Sequence, residues 1–295
     1  MQEQREITAH LMGGLGNLLF IIATCFALSK KYKVKMRFYC NASTWRDSKR
    51  RMMQYYKMFE KFDIDCVNHR KSGITFREPY FFYDSIILGG RNHSCIYGYF
   101  QSYKYFDAYK SEFINMLYNP YKDEIDNFLT ECLLNHMTTV KNESDLPPSK
   151  IIEELNFVSI HVRRTDYLAL SDIHLNLDLA YYEEAISHFS KEKSIFLIFS
   201  DDVDYIQSEP LFQSLVNKYI VTNQDDEYSF WLMSACHHNI IANSSYSWWA
   251  SYINSNPNKL IICPSKWFGL KGPVYKIRDI IPDTKNYKMI FVNSR

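Results

Sequence analysis

The chain has 295 residues, of which 46% are hydrophobic, 16% aromatic and 23% charged, and its formal net charge is +1. These values describe a globular protein and exclude a disordered or collagen-like chain. A net charge so close to zero gives no reason to expect a nucleic-acid partner. The length predicts two domains or one large domain.

The seven cysteines are widely spaced and include no Cys-x-x-Cys pair. This spacing disfavours both a disulfide framework and a zinc ribbon. Several of the cysteines lie in apolar runs, where a free thiol behaves as a small hydrophobic group. We therefore expect a reducing compartment, the cytoplasm, either in solution or peripheral to a membrane.

The amino-terminal stretch predicts a β-α-β unit around a glycine-rich turn. A strand at "ITAHLM" leads into the turn "GGLGN", the helix "LLFIIATCFALSKKY" and the strand "KVKMRFYC". Residues 11–28 are apolar enough to suggest a membrane anchor, but three glycines would weaken a lone helix and the preceding segment has mixed charge. We therefore expect no transmembrane segment. Leu19 stands where the dinucleotide fingerprint has its third glycine, which argues against a nicotinamide enzyme.

The middle of the chain is aromatic and basic, and it contains the predicted domain boundary. Residues 43–121 include "IYGYFQSYKYF", whose tyrosines suit a sugar-binding face and core packing equally well. The segment "KNESDLPPSK" at residues 141–150 combines two prolines with mixed polar residues, which indicates a linker. We predict one domain over residues 1–150 and a second over residues 151–295.

After the linker, short apolar strands alternate with helices. The strands are "FVSIHV", "SIFLIFS", "KYIVTN", "HNIIAN" and "KLIICPS". This alternation predicts an α/β domain with a parallel, doubly wound sheet. Ligands of such sheets bind beyond the carboxyl ends of the strands, so polar motifs that directly follow a strand are the candidate site.

Two adjacent arginines follow the first of these strands. Arg163 and Arg164 in "HVRRTDY" predict a clamp for a diphosphate, because a guanidinium group donates in a planar fork and stays charged. Asp166 is near enough in sequence to hold one guanidinium in place. A surface salt-bridge cluster is the alternative interpretation of the same residues.

Acidic residues follow the second strand. Asp202 and Asp204 in "SDDVDY" match a metal-binding Asp-x-Asp pair, whereas Asp201 and Asp202 are also typical caps of a following helix. We favour capping, because the arginine pair already supplies the positive charge that a metal would bring.

Polar residues also follow the fourth strand. Asn243, Ser244 and Ser245 in "ANSSYSWW" stand where a helix begins, and hydroxyl and N–H groups there can bind phosphate oxygens. We expect Trp248 and Trp249 to pack this helix onto the sheet rather than to contact substrate.

Taken in order and spacing, "GGLGN", "HVRRTDY", "FSDD" and "IIANSSYSWW" resemble the alpha-1,2-fucosyltransferase family from about residue 8 to residue 268. "HVRRTD" is shared with alpha-1,6-fucosyltransferases and, in looser form, with protein O-fucosyltransferases. The resemblance implies a GT-B-like α/β fold, with two Rossmann-like lobes whose parallel sheets face a central cleft. It further implies a galactoside alpha-1,2-fucosyltransferase that uses GDP-fucose, inverts the anomeric centre, needs no metal or cofactor, and accepts a galactose-terminated glycan.

The resemblance also implies roles for individual residues, with the donor in the carboxyl-terminal lobe and the acceptor in the amino-terminal lobe. The donor-binding residues carried over by position are Gly14, His161, Arg163, Arg164, Asp202, Asn243, Ser244 and Ser245. The catalytic candidates are Arg164, Asp166 and Asn17. Ser229 replaces an acid that relatives often have, so guanine recognition by a carboxylate would come from Asp226 or Glu227.

Three classes of function stay open on these residues. The first is the fucosyltransferase just described, with the alpha-1,2 linkage or another. The second is a metal-dependent glycosyltransferase that uses Asp202 and Asp204. The third is a non-catalytic sugar-binding protein of the same fold.

Overall fold

The computed structural model of the chain describes residues 5–39, 52–62, 66–67, 76–88, 93–140, 155–222 and 225–292. The chain divides into two compact units: residues 1–120 with 273–283, and residues 121–272 with 284–295. The second unit thus begins before the predicted linker. That linker, at residues 141–150, lies outside the described residues, and the boundary placed there stays a prediction.

The first unit contains a five-stranded parallel sheet. Its strands are β1 (Glu6–His10), β2 (Lys35–Tyr39), β3 (Cys66–Val67), β4 (Phe76–Arg77) and β5 (His93–Tyr97), in the order β3-β2-β1-β5-β4. Helix α1 (Leu15–Tyr32) connects β1 to β2, which confirms the predicted β-α-β unit. A continuous run from Leu18 to Leu28 is buried in this helix, so packing against the protein accounts for its apolar sequence.

Short helices follow β5 in the first unit. Two 3-10 helices, Tyr103–Tyr105 and Asp107–Tyr109, lead into α2 (Lys110–Met116). Phe113 of α2 packs against Phe26 of α1, with ring centroids 5.7 Å apart. The middle of the chain therefore contributes aromatic side chains to the core of this unit.

The second unit contains a six-stranded parallel sheet. Its strands are β6 (Asn156–Val162), β7 (Ser194–Ser200), β8 (Lys218–Val221), β9 (His238–Ile240), β10 (Ile261–Pro264) and β11 (Tyr287–Ile290), in the order β11-β10-β9-β6-β7-β8. The five predicted strands are confirmed, and β11 adds an edge strand that the sequence did not predict. Because β6 lies between β7 and β9, the segments that follow these three strands meet at one edge of the sheet.

Helices connect these strands. They are α3 (Lys122–Val140), α4 (Thr165–Ala169), α5 (Leu179–Ser187), α6 (Val203–Ser208), α7 (Pro210–Gln213), α8 (Asp226–Ala235) and α9 (Ser245–Ile253). Trp248 and Trp249 of α9 are fully buried, as their predicted packing role requires. The α/β class with two parallel sheets is confirmed.

The chain returns to the first unit near its carboxyl end. There α10 (Ile277–Ile280) is held by the buried carboxylate of Asp279, which accepts from Lys104 Nζ at 2.5 Å and from the Tyr83 amide at 2.9 Å. An ion pair and a backbone hydrogen bond thus attach a sequence-distant segment to this unit.

The described cysteine side chains are free and buried, at positions 25, 95, 132, 236 and 263. Burial raises the pKa of the Cys132 thiol to about 11. None of the helices in the described part of the chain is both long enough and apolar enough to cross a bilayer.

Candidate active site

The two predicted arginines follow β6, and carboxylates hold both of them. Arg163 Nη2 lies 2.8 Å from Asp166 Oδ1, and Arg163 Nη1 lies 3.3 Å from Asp201 Oδ2. Arg164 Nε donates to Asp202 Oδ2 at 3.0 Å. The side chains remain 33% and 25% exposed, respectively, so neither guanidinium is closed off from a ligand. The pairing predicted for Asp166 is confirmed.

Asp201 organises the turn after β6. Its carboxylate accepts from the Arg164 amide at 2.9 Å, from the Thr165 amide at 3.1 Å and from the Thr165 hydroxyl. Burial alone would raise the pKa of Asp201, but the Thr165 hydroxyl and the charge of Arg163 outweigh burial and hold the pKa below its usual value. Asp201 is therefore an ionised anchor that pairs with the Arg163 guanidinium and fixes the backbone at Arg164.

Asp202 caps α6 and orients Arg164. Its Oδ1 accepts from the Tyr205 amide at 3.1 Å, while its Oδ2 accepts from Arg164 Nε. The Arg164 guanidinium carbon lies 3.4 Å from the centroid of the Tyr205 ring, a stacked cation–π contact. The predicted capping role is confirmed for Asp202, whereas Asp201 binds the Arg164–Thr165 turn instead of capping.

The Asp-x-Asp pair does not form a cluster. Asp204 is exposed on the first turn of α6, while both oxygens of Asp202 are used within the protein. Among the described residues, no group of three or more His, Cys, Asp or Glu side chains is arranged to hold a metal ion.

His161 lies at the same edge, near the end of β6. Its Nδ1 is 2.9 Å from Ser247 Oγ, and the Tyr182 hydroxyl donates to its carbonyl oxygen at 3.2 Å. Burial, assisted by the nearby charge of Arg163, lowers the pKa of His161 to about 3. A neutral imidazole is therefore present here at physiological pH, and it offers hydrogen bonds without adding positive charge.

The start of α9 completes the edge in the second unit. Ser244 is the N-cap, and its hydroxyl accepts from the Tyr246 amide at 3.4 Å, so the predicted helix start is confirmed. Ser245 is the first helical residue and is partly exposed. Asn243 is buried, and its amide nitrogen donates to the carbonyl oxygens of Leu175 at 2.9 Å and Trp267 at 2.8 Å. Asn243 thus ties together three loops, and its role toward a donor stays a prediction.

The two candidates for guanine recognition lie at the start of α8. Asp225 caps this helix by accepting from the amides of Glu227 and Tyr228 at 2.6 and 2.9 Å. The Glu227 side chain is buried, and the Asp226 carbonyl accepts from the Tyr246 hydroxyl at 2.5 Å. The start of α8 is thereby tied to the start of α9.

The glycine turn of the first unit lies at the end of β1. Gly13 has a φ of +84°, which favours glycine, and Gly14 is the N-cap of α1. Asn17 is partly exposed in the first turn of α1, and its Oδ1 accepts from Gln101 Nε2 at 2.7 Å. The predicted turn therefore forms, and Asn17 has a defined orientation.

Sequence reasoning missed partners that shape the site. Thr165, Tyr205 and Ser247 lie within the quoted motifs and contact Asp201, Arg164 and His161, respectively, but the sequence analysis assigned them no role. The available signal was position: Thr165 follows the arginines directly, and Tyr205 is three residues after the capping Asp202.

Comparisons with known proteins point to one family. Residues 88–268 match the family described as glycosyl transferase family 11. The chain is 29% identical to the O-antigen biosynthesis glycosyltransferase WbnK of Escherichia coli, over 88% of this chain and 93% of WbnK. It is 27% identical to an alpha-1,2-colitosyltransferase of Escherichia coli, over 89% of this chain and 92% of that protein.

Fold similarity extends to a solved fucosyltransferase. NodZ from Bradyrhizobium superposes with a TM-score of 0.51 at 10% identity, over 84% of this chain and 92% of NodZ. At this identity the similarity concerns the fold alone, and it agrees with the GT-B-like class. The family match spans more than half of the chain and includes the arginine pair and the Asn243–Ser245 helix start. The chain is a glycosyltransferase and belongs to glycosyl transferase family 11, the alpha-1,2-fucosyltransferase family.

Proposed function

We propose that this protein transfers L-fucose from GDP-fucose to the 2-hydroxyl of a terminal galactose on a glycan, with inversion and without a metal ion. The observation that carries the proposal is the arginine pair held by three carboxylates at the edge where β6, β7 and β9 end. Two oriented guanidinium groups are suited to a diphosphate leaving group, because each can donate to two oxygens at once.

The proposed reaction is a single displacement. The acceptor oxygen forms a bond to the anomeric carbon of fucose as the bond from that carbon to the β-phosphate oxygen breaks. The bonding electron pair leaves with GDP, so negative charge accumulates on the β-phosphate in the transition state. Arg164, preorganised by Asp202 and Tyr205, stabilises that charge without reorganising during the reaction.

The remaining residues take supporting roles in this proposal. Arg163, Ser244 and Ser245 contact the diphosphate, Asp202 holds Arg164, and neutral His161 contacts the nucleoside. Gly14 and Asn17 act toward fucose and the acceptor. Asp166 is the candidate base for the acceptor proton, although its ion pair with Arg163 supports a holding role equally.

GDP release measures the activity directly. GDP-fucose is incubated with lactose, with type 1 and type 2 disaccharides and without acceptor, in the presence of excess EDTA, and the product linkage and anomeric configuration are determined by NMR. We expect acceptor-dependent release that EDTA does not suppress. Loss of activity in EDTA would favour the Asp202 and Asp204 metal site, and no release with any acceptor would favour a sugar-binding protein.

A colitosyl donor is the second candidate, because an alpha-1,2-colitosyltransferase is among the relatives. The same assay with both donors distinguishes them. A higher kcat/KM for the colitosyl nucleotide on the same acceptor would replace fucose by colitose in this proposal and leave the roles of the arginines unchanged.

A further inference from the structure

A carboxylate that belongs to none of the motifs lies beside the glycine turn. Glu78 directly follows β4, and its Oε2 accepts from the amides of Tyr99 at 2.7 Å and Phe100 at 2.8 Å. The Glu78 amide in turn donates to the Tyr97 carbonyl at 2.8 Å. One side chain thus binds two consecutive N–H groups of the segment that follows β5.

That segment has a conformation which a bulky residue rarely adopts. Phe100 has a φ of +54° and is fully buried, its ring packed against Tyr105 with centroids 5.5 Å apart. A left-handed residue other than glycine costs on the order of 1–2 kcal/mol. Gly98 shows how closely Glu78 approaches, because a Cβ there would lie 2.6 Å from Glu78 Oε2. Glu78 Oε2 accepts from both amides of this turn.

The residue that follows the left-handed turn contacts Asn17. Gln101, the residue after Phe100, is buried, and its amide donates to Asn17 Oδ1 at 2.7 Å. On the other side, a Cβ at Gly13 would lie 2.5 Å from Asn17 Nδ2. Asn17 is therefore held between Gln101 and the glycine turn.

The surroundings of the Glu78 carboxylate are unfavourable for its charged form. Glu78 Oε1 is buried and has no hydrogen-bond partner among the described residues. Burial raises the pKa of Glu78 to about 7, even though the amides of Phe100 and Tyr99 act in the opposite direction. Strain and an unfavourable buried group at one place are typical of functional sites, where structure is maintained for a purpose other than stability.

We propose that Glu78 is a positioning residue for the transfer reaction: its carboxylate holds the left-handed turn at Phe100 and thereby fixes Gln101 and Asn17 in their working orientation. This inference rests on the proposed function, because it requires Asn17 to act in the transfer step. Glu78 acts through the two amides that it binds and not by contact with the reacting atoms.

The test compares Glu78→Ala with Glu78→Gln. Alanine removes the acceptor of both N–H bonds, and we expect kcat to fall about tenfold or more with the KM for GDP-fucose within about twofold. Glutamine keeps an oxygen that can accept from both amides, and we expect it to restore kcat to within about threefold of wild type. If Glu78 only stabilised the fold, Glu78→Ala would not lower kcat at an unchanged KM, and Glu78→Gln would not restore kcat.

Glu6→Ala is the matched control. Glu6 is also a buried carboxylate of the first unit, but it lies at the amino end of β1, where it pairs with Arg37 at 2.9 Å and His93 at 2.8 Å. We expect this variant to lose thermal stability without a comparable change in kcat.

Hydrogen–deuterium exchange supplies a readout that is independent of turnover. In Glu78→Ala, the amides of Tyr99 and Phe100 should exchange at least about tenfold faster than in wild type. Unchanged exchange, or a kcat within twofold of wild type, would overturn the inference. Equal inactivity of the Gln and Ala variants would also overturn it, since the charge or proton of Glu78 would then be required. A wild-type protein that does not use GDP-fucose would refute the proposed function, while the exchange measurement would still test the turn.

Discussion

At the carboxyl edge of each sheet one carboxylate binds two consecutive main-chain N–H groups, yet the pKa values of Asp201 and Glu78 shift in opposite directions. In the second unit, Asp201 lies among donors that include the Arg163 cation, and its pKa is below the usual value. In the first unit, the Glu78 carboxylate is bound only by main-chain N–H groups among the described residues, and burial outweighs them and raises its pKa to about 7. In our proposals the first arrangement orients cations toward an anionic ligand, while the second holds a left-handed backbone turn. The carboxylate at this edge would thus orient charged side chains in the second unit and fix the backbone conformation in the first unit.

The largest effect should come from removing the positive charge of Arg164 in the second unit. Arg164→Ala should lower kcat on the order of a hundredfold or more, because losing one donor to a developing negative charge costs about 3 kcal/mol. Thermal unfolding should show that the fold survives, and Arg164→Lys should recover little, since lysine lacks the planar fork. Near-normal turnover by the alanine variant would refute the role of the arginine pair.

A smaller effect should follow from removing the anchor of that pair. Asp201→Asn should reduce kcat about tenfold and destabilise the fold by about 1–3 kcal/mol, because its amide cannot accept from all the donors that meet there. Asp204→Asn is the control, since Asp204 is exposed on the next helix. Steady-state kinetics and denaturant unfolding measure both variants, and equal behaviour would contradict the anchoring role.

In the first unit, Gly98→Ala tests the close approach that positions Glu78. The added Cβ would collide with Glu78 Cβ and lie 2.6 Å from Glu78 Oε2, so the backbone at Glu78 must move together with its carboxylate. Overpacking of this kind costs about 1–3 kcal/mol. Calorimetry should show a lowered Tm, and the amide of Phe100 should exchange faster. A variant as stable as wild type would mean that the turn accommodates the change.

The smallest effect, and the one that contrasts the two carboxylates most directly, is the pH dependence of stability. The folded pKa of Glu78 is about 7 against an ordinary value of 4.5, so the folded state binds more protons and stability falls as pH rises from 4.5 to 7. The pKa of Asp201 is lowered from 3.8, so its contribution is complete above that pH and is lost as pH falls further.

The substitutions Glu78→Gln and Asp201→Asn distinguish the contributions of the two carboxylates to the pH dependence of Tm. Glu78→Gln should flatten the loss of Tm between pH 4.5 and 7, whereas Asp201→Asn should flatten only the loss at more acidic pH. Thermal melts across this pH range measure both. If Glu78→Gln left the neutral slope unchanged, the raised pKa of Glu78 would be refuted.

The sequence predicted a large part of the second unit and much less of the first. Periodic apolar strands ending in "HVRRTDY" and "ANSSYSWW" located the arginine pair and the start of α9 correctly, because each motif directly follows a strand. The edge strand β11 was missed, since it has four residues and its two middle residues, Lys288 and Met289, are both exposed, so the strand has no alternating pattern. In the first unit the sequence predicted the glycine turn and α1 but missed Glu78, which is preceded by the two-residue strand β4 and belongs to no motif.

By itself the sequence determined the β-α-β opening of the first unit, five of the six strands of the second unit and the family, since these depend on local periodicity and on motifs contiguous in the chain. Only the tertiary structure decided that Asp201 and Asp202 also hold the arginines, and that Glu78 reaches the amides of Tyr99 and Phe100. The physical reason is that these hydrogen bonds join residues 20 to 40 positions apart, and their existence depends on distances of about 3 Å that only the packed sheet fixes.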